Sequence, residues 1–285
     1  MSGNEVQSAR DLLHIAAARL TQAGVENARL DARILLAQAM GISREELIAG
    51  TRQPTQEQEQ AFQTLIARRS AREPLAYITG IREFWSLGFK VGPGVLVPRP
   101  ETETLIEAAL AAFPDRQAPL SIADLGTGSG ALLIAALGEF PTARGVGFER
   151  SPGALAYART NLQAHGFSGR GEIIAADWND VREKSFDLIF SNPPYIPSAE
   201  IMTLEPEVRL HEPHAALDGG KDGLDAYRAL ADLLPRLLRP GAVAVLELGY
   251  GQVEQVEPLF RDLIVLHVAP DLAGIPRVLA LKAPK

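Results

Sequence analysis

Hydrophobic and polar positions follow one rhythm in the first quarter of the chain and another in the rest. From Val6 to about Leu20 apolar residues recur at helical spacing (Leu12, Leu13, Ile15, Ala16, Leu20), which predicts a helix stopped by Gly24. A second helix is predicted over Ala28 to Met40, ended by Gly41. Ser43-Arg44-Glu45-Glu46 has the S-x-x-E order of a capping box ahead of Leu47 and Ile48, and Thr55-Gln56-Glu57-Gln58 repeats it with Gln before a helix reaching Arg69. Residues 1–74 therefore read as a small helical bundle closed by Pro74. Periodicity alone leaves two uses for it: a bundle that only stabilises its neighbour, or one that docks a substrate.

Residues 75–98 change character. From Tyr77 to Val91 apolar and polar positions alternate with glycines at the expected bends, which predicts a β-hairpin or extended linker, punctuated by Gly92, Pro93 and Gly94. Residues 99–285 form a third region. Its Arg99, Glu101 and Glu103 read as the solvated, acidic start of a helix. Strand-like runs at Ser121 to Leu125, Gly145 to Glu149, Gly171 to Ala176, Phe186 to Phe190 and Ala242 to Leu248 alternate with helix-like runs at Gly130 to Leu137, Pro152 to Ala164, Asp222 to Leu238 and Val253 to Phe260. Further strands are expected near Ile264 to Val268 and Arg277 to Leu281. That order predicts an α/β fold with a parallel sheet covered by helices, closed by an antiparallel pair.

Charge and composition narrow the function. The net charge is −7, and residues 1–75 hold nine Arg against nine acidic residues, so the negative excess lies in the remainder. Such a surface argues against binding long nucleic acid mainly by phosphate neutralisation. No apolar run reaches the ~18 residues of a membrane span. Met1-Ser2-Gly3-Asn4-Glu5 lacks the basic-then-apolar order of a signal peptide, and the chain has no cysteine, so a cytoplasmic location is expected and thiolate chemistry is excluded. His211 and His214 could be drawn as a metal pair, but Pro213 between them opposes the helix that would align them and no further ligand cluster accompanies them, so no metal is expected.

Candidate chemistry gathers at the predicted strand ends. Ser191-Asn192-Pro193-Pro194-Tyr195 follows the strand-like run ending at Phe190, and open α/β sheets take ligands outside the carboxyl ends of their strands. Pro193 and Pro194 have fixed φ and no N–H, so the Pro193 carbonyl can face a site with no competing donor beside it. With the side-chain carbonyl of Asn192 it makes a pair of acceptors suited to an NH₂ group, and Tyr195 adds an aromatic face. An NH₂ on sp² carbon is a poor nucleophile because its lone pair is delocalised. Drawing both hydrogens out of plane frees that pair, most strongly in the transition state. The same residues also suit an ordinary Pro-Pro turn capped by Asn.

Asp124-Leu125-Gly126-Thr127-Gly128-Ser129-Gly130 lies where the first strand turns into its helix, and its glycines let a ligand approach the backbone. The G-x-G-x-G spacing departs from the dinucleotide fingerprint G-x-G-x-x-G, and Asp124 would face a cation rather than a diphosphate. Glu149 ends the second strand, where a carboxylate can accept both hydroxyls of a ribose. Asp177-Trp178 ends the third, where an acid can accept from an exocyclic amine and a ring can pack on a base.

These residues resemble the cofactor site of the seven-stranded, Rossmann-like S-adenosylmethionine-dependent methyltransferases, and Asn-Pro-Pro-Tyr resembles the signature of their amino-methylating branch. The resemblance widens with Tyr77-x-x-Gly80, Glu83-Phe84-Trp85, Pro98-Arg99-Pro100-Glu101-Thr102-Glu103, Glu212-Pro213, Gly219-Gly220-Lys221-Asp222-Gly223-Leu224 and Asp271 to Arg277. Together these resemble the peptide-chain-release-factor glutamine methyltransferases over nearly the whole chain. The resemblance implies methyl transfer from S-adenosylmethionine to the side-chain amide nitrogen of the glutamine in the Gly-Gly-Gln loop of release factors, by direct displacement and without a metal. Glutamine methylation of a ribosomal protein and adenine-N6 methylation of nucleic acid are the alternatives. It also implies that Gly126, Thr127, Gly128, Ser129, Gly130, Glu149, Asp177, Trp178 and Asn192 line the cofactor, that Asn192, Pro193, Pro194 and Tyr195 hold the glutamine, that Asn192 and Pro193 are catalytic, and that the bundle docks the substrate. Glu149 stands where many relatives have Asp; the longer side chain still reaches a ribose.

Overall fold

The computed structural model describes residues 8–50, 52–181 and 186–285, so the expected helix start at Val6 and Gln7 lies outside the described residues. The chain forms two compact units: one runs to Gly80 and takes in Glu205–His211, the other holds Ile81–Leu204 and Glu212–Lys285.

The first unit is helical. It contains α1 (Ala9–Gln22), α2 (Ala28–Met40), α3 (Arg44–Ala49), α4 (Gln56–Ser70) and α5 (Leu75–Thr79). Both expected capping boxes form, Ser43 with Glu46 and Thr55 with Gln58, each satisfying two otherwise unpaired backbone N–H groups. Gly41 and Gly50 end their helices in the left-handed conformation. Leu12, Leu20, Leu35, Leu36, Phe62 and Ile66 are fully buried between these helices. Tyr77 to Thr79 differ from the hairpin reading: Pro74 opens a short helix over Leu75–Thr79, Gly80 closes it with φ 76°, and Tyr77 and Ile78 are buried. Their β-favouring side chains are outweighed by that burial. The helical unit therefore runs on to Gly80, past the Pro74 boundary expected from sequence.

In the second unit β1 (Ile81–Phe84) and β2 (Leu87–Lys90) form the expected hairpin, but its bend is not at a glycine. Trp85 and Ser86 take positive φ, 52° and 59°, while Gly88 lies inside β2. Hydrogen bonds offset the cost of that conformation: the Trp85 backbone N–H donates to Glu103 Oε1 at 2.8 Å and its indole N–H to Glu139 Oε1 at 2.7 Å.

The main sheet is built from β3 (Ser121–Leu125), β4 (Arg144–Glu149), β5 (Gly171–Ala175), β6 (Phe186–Ser191), β7 (Leu238–Glu247), β8 (Ile264–Pro270) and β9 (Pro276–Lys282). It has seven strands in the order β5-β4-β3-β6-β7-β9-β8. The pairs from β5 to β7 are parallel, whereas β9 runs antiparallel to both β7 and β8. Alternate residues of β3 enter opposite cores. Ile122 packs with α6 (Glu103–Ala112), α7 (Ala131–Glu139) and α8 (Pro152–Ala164), while Ala123 and Leu125 pack with the side of the sheet covered by α10 (Asp225–Leu237). The segment expected as one helix from Val253 to Phe260 is α11 (Val253–Val256) followed by a 3₁₀ turn at Glu257–Leu259, because Pro258 has no N–H for an α-helical bond. α9 (Pro206–His211) belongs to the first unit, so His211 and His214 fall in different elements. No helix among the described residues is long and apolar enough to cross a membrane.

This strand order places the functional residues. β3 has β4 on one side and β6 on the other, so the loops leaving their carboxyl ends diverge and open a crevice. Asp124 to Gly130 leave β3 and Asn192 to Tyr195 leave β6 at that point.

Candidate active site

The β3 turn is a cradle of backbone. Gly126 and Thr127 N–H both donate to the Phe148 carbonyl, at 2.9 and 3.0 Å, binding the turn to the end of β4. Gly128, at φ 56°, has open space where a Cβ would stand, so a ligand can lie against its backbone. Gly126 would carry its Cβ towards the Trp178 ring, 3.6 Å away. Gly130 serves packing instead: a Cβ there would meet Ile134 and Ala158, and the residue is absent from the cleft walls.

Two carboxylates frame this cradle. Glu149 accepts from Gly128 N–H with Oε2 (2.9 Å) and from Ser151 N–H with Oε1 (2.8 Å), which fixes its plane and leaves further lone pairs towards the cleft. Asp124 is buried; its Oδ2 accepts from the Thr127 hydroxyl at 2.5 Å, and its Oδ1 has no hydrogen-bond partner. Burial pushes the Asp124 carboxyl up to about 7, against the pull of the Thr127 hydroxyl. An unpartnered buried carboxylate oxygen on the wall of a cleft suits a cationic ligand group. Asp177 accepts from Arg150 Nη1 at 3.2 Å, and it lines the cleft with Trp178. These residues fit a ligand with a positive charge, a vicinal diol and a planar base.

The β6 loop forms the far wall. The Ser191 hydroxyl donates to the Leu125 carbonyl at 2.8 Å, joining the ends of β6 and β3. Asn192 and Pro194 line the same cleft as Gly126, Thr127, Gly128 and Ser129, while Pro193 and Tyr195 are not among its walls. Tyr195 is turned into the protein. Its hydroxyl donates to Glu247 Oε1 at 3.2 Å and its carbonyl accepts from Gln252 Nε2 at 2.9 Å. Its aromatic face, expected from sequence to meet the substrate, packs beside the core cluster that holds Tyr227 and Leu246.

Several residues of the site carried no functional reading from sequence. Arg99 is not a solvated helix start: its Nη2 donates to both oxygens of Glu212, at 2.8 and 2.7 Å, and it lines the cleft. The Glu212 side chain is 1% exposed, and burial pushes its carboxyl up despite the Arg99 charge. Glu103 is held by the Trp85 N–H; only Glu101 of the three remains exposed. Thr102 and Glu247 were missed as well. The Asn192 Nδ2 donates to Thr102 Oγ1 at 3.3 Å, and the Thr102 hydroxyl donates to Glu247 Oε2 at 2.6 Å. A lone acid within the apolar run from Ala242 to Leu248 is the signal that could have singled out Glu247, since carboxylates are rarely buried without a partner.

Comparison with known proteins bears on both units. Residues 11–80 match the PrmC N-terminal domain, ending at the residue that closes the helical unit, and residues 103–206 match the methyltransferase small domain. A protein of Bradyrhizobium diazoefficiens named release factor glutamine methyltransferase is 46% identical over 287 residues, covering 99% of this chain and 96% of that one. One of the same name from Geobacter sulfurreducens is 43% identical over 278 residues, covering 96% of each. Among solved structures, a methyltransferase from Pyrococcus furiosus resembles the chain with a TM-score of 0.53 at 18% identity, covering 78% of this chain and 98% of that one, a likeness of fold.

Proposed function

The chain belongs to the release factor glutamine methyltransferase family, and from that premise we propose that its cleft binds S-adenosylmethionine and that Asn192 and Pro193 activate the glutamine of the release factor's Gly-Gly-Gln loop. The enzyme is an S-adenosylmethionine-dependent protein-glutamine N-methyltransferase. The proposed substrate, a translation factor, puts the reaction in the cytoplasm. The helical unit is the candidate docking surface for it.

When bound, the cofactor would supply an electrophilic methyl group that a nitrogen nucleophile can take directly, the neutral thioether leaving as the carbon–sulfur bond breaks and the nitrogen giving up one proton to water. The backbone of Gly126 to Ser129 would lie under it, Glu149 would accept from its ribose, and Asp177 and Trp178 would meet its adenine. Asp124 would answer its positive charge.

The chain's task at the substrate is to make an amide nitrogen nucleophilic. Asn192 Oδ1 and the Pro193 carbonyl would accept the two amide hydrogens and hold them out of plane, so the lone pair is no longer shared with the carbonyl. These acceptors gain most when charge develops on nitrogen, so the binding they provide goes into the transition state. No nucleophilic side chain is needed, and the chain has no cysteine to offer one. The observation that carries this reading is the position of Asn192, on the wall of the cleft that holds the glycine cradle, with its NH₂ end already spent on Thr102.

Methyl-labelled cofactor offered with a purified release factor, a ribosomal protein and duplex DNA tests the substrate class. Label is expected in the release factor alone; label in either of the others would replace this reading with the corresponding alternative.

The Asp124 reading has its own pH signature. A cation is answered only by the ionised carboxylate, whose acidity burial has weakened to about 7. Below that value binding must also expel a proton, so cofactor affinity is expected to fall by about tenfold per pH unit there and to level off above it. Titration calorimetry of S-adenosylmethionine itself, which carries the sulfonium charge, measures the slope across this range, and Asp124→Asn is expected to remove it. A wild-type affinity that does not change with pH would contradict the assignment.

A further inference from the structure

An asparagine side chain has nearly the same shape with its oxygen and nitrogen exchanged. A site that needs an acceptor must therefore specify which end faces inwards. If the NH₂ end of Asn192 faced the cleft, it would oppose the hydrogens of a substrate amide. Something outside the Asn192 to Tyr195 loop has to fix the choice.

We propose that Thr102 and Glu247 are positioning residues, forming a directional hydrogen-bond relay that turns the Asn192 carbonyl towards the substrate. This rests on the role proposed for Asn192 and extends it. An ionised carboxylate can only accept. Glu247, 2% exposed at the end of β7, takes the Thr102 hydroxyl on Oε2 and the Tyr195 hydroxyl on Oε1. With its hydrogen committed to Glu247, Thr102 Oγ1 can only accept from its remaining neighbour, Asn192 Nδ2. The direction of each bond dictates the next, and Oδ1 is the end left for the cleft.

The relay reverses when Glu247 takes up a proton. The carboxyl then donates to Thr102 Oγ1, the Thr102 hydrogen is free to donate to Asn192, and the amide is best satisfied with its oxygen towards Thr102. Its NH₂ end would then face the substrate. Burial pushes Glu247 up to about 7, opposed by the hydrogen bonds of Thr102 and Tyr195 and by the positive charge of Arg277, and reinforced by the negative charge of Glu101. Arg277 itself donates to Asp271 at 3.0 Å. Tyr195 and Tyr227 also face this carboxylate from the β6 loop and α10; burial pushes both phenols up, so neither ionises near neutrality, and the Tyr227 hydroxyl donates to the Glu247 backbone carbonyl at 2.8 Å. The acceptor end is thus presented above about pH 7 and withdrawn below it.

Turnover of release factor at saturating cofactor, measured across pH for the wild type, Thr102→Val, Thr102→Ser, Glu247→Gln and Asn192→Ala, tests this. Thr102→Val keeps the shape and loses the hydroxyl, and is expected to lower kcat by about 10- to 100-fold with cofactor affinity retained. Thr102→Ser is expected to recover most of that loss. Glu247→Gln is expected to lower kcat and to abolish the decline of the wild-type rate below about pH 7. The relay is refuted by wild-type turnover in Thr102→Val, by Thr102→Ser as impaired as Thr102→Val, or by a low-pH decline that survives in Glu247→Gln. If a variant fails to bind cofactor, the wild-type profile and Thr102→Ser still decide, because a purely structural hydroxyl predicts no titration of kcat near 7. Full turnover in Asn192→Ala would instead remove the premise; loss there with wild-type turnover in Thr102→Val would remove the relay alone.

Discussion

Replacing Asn192 with alanine is expected to lower turnover on a release factor by about 100- to 1,000-fold, the cost typical of deleting one preorganised group that meets developing charge. The carboxamide of Asn192 touches the reacting nitrogen in the proposed reaction, whereas cofactor binding is shared among the Gly126 to Ser129 backbone, Glu149 and the Asp177-Trp178 corner. The loss should therefore fall on kcat, and cofactor affinity should change little. Single-turnover kinetics with saturating cofactor, alongside equilibrium binding of the cofactor product, separates the two quantities. The deletion should cause little unfolding, since the β6 loop is also held by the Ser191 hydroxyl on Leu125 and by Gln252 on the Tyr195 carbonyl. A variant that turns over normally would show that the loop is a turn and nothing more.

The second large effect is on stability. Arg69 is buried in the helical unit, where its Nε donates to Asp31 Oδ2 and its Nη1 to Glu207 Oε1, both at 2.8 Å. Removing one partner of a buried ion pair leaves the other charge without compensation, so Arg69→Ala is expected to cost the unit about 3–5 kcal/mol. Glu207 keeps Arg72, whose Nε donates to it at 2.7 Å, but among the described residues no cation other than Arg69 lies within salt-bridge distance of Asp31. The defect should concentrate on α2 and α4. Hydrogen exchange on the full-length protein should show those helices losing protection while β3 and β6 retain theirs. Uniform loss across the sheet, or none at all, would show that the pair does not set the stability of this unit.

How far the sequence revealed this molecule depends on how local each interaction is. The capping boxes at Ser43 and Thr55 were legible because both partners lie within one turn. The parallel sheet was legible from the alternation of strand and helix, and the Asp124 to Gly130 turn and Asn192-Pro193-Pro194-Tyr195 loop from their own composition. The rest depends on partners far apart in the chain. Arg99 read as solvated because Glu212 is 113 positions away, and Thr102 had no visible role because its acceptor, Glu247, is 145 positions on. Tyr195 read as a substrate face because Glu247 and Gln252, which turn it inwards, are likewise distant. Tyr77 to Thr79 read as part of the hairpin linker because they begin the alternating run that reaches Val91, a local pattern that burial of Tyr77 and Ile78 in the helical unit overrides. At the hairpin, Trp85 and Ser86 take the positive φ that the sequence had assigned to glycines, held by Glu103 and Glu139.

The most direct measurement is to find the atom that is methylated. A purified release factor incubated with the enzyme and S-adenosylmethionine should yield, on peptide fragmentation, a single added methyl on the side-chain nitrogen of the Gly-Gly-Gln glutamine, absent when Asn192→Ala replaces the wild type for the same time. A methyl on any other residue, or an unmodified glutamine beside labelled ribosomal protein or DNA, would contradict the account.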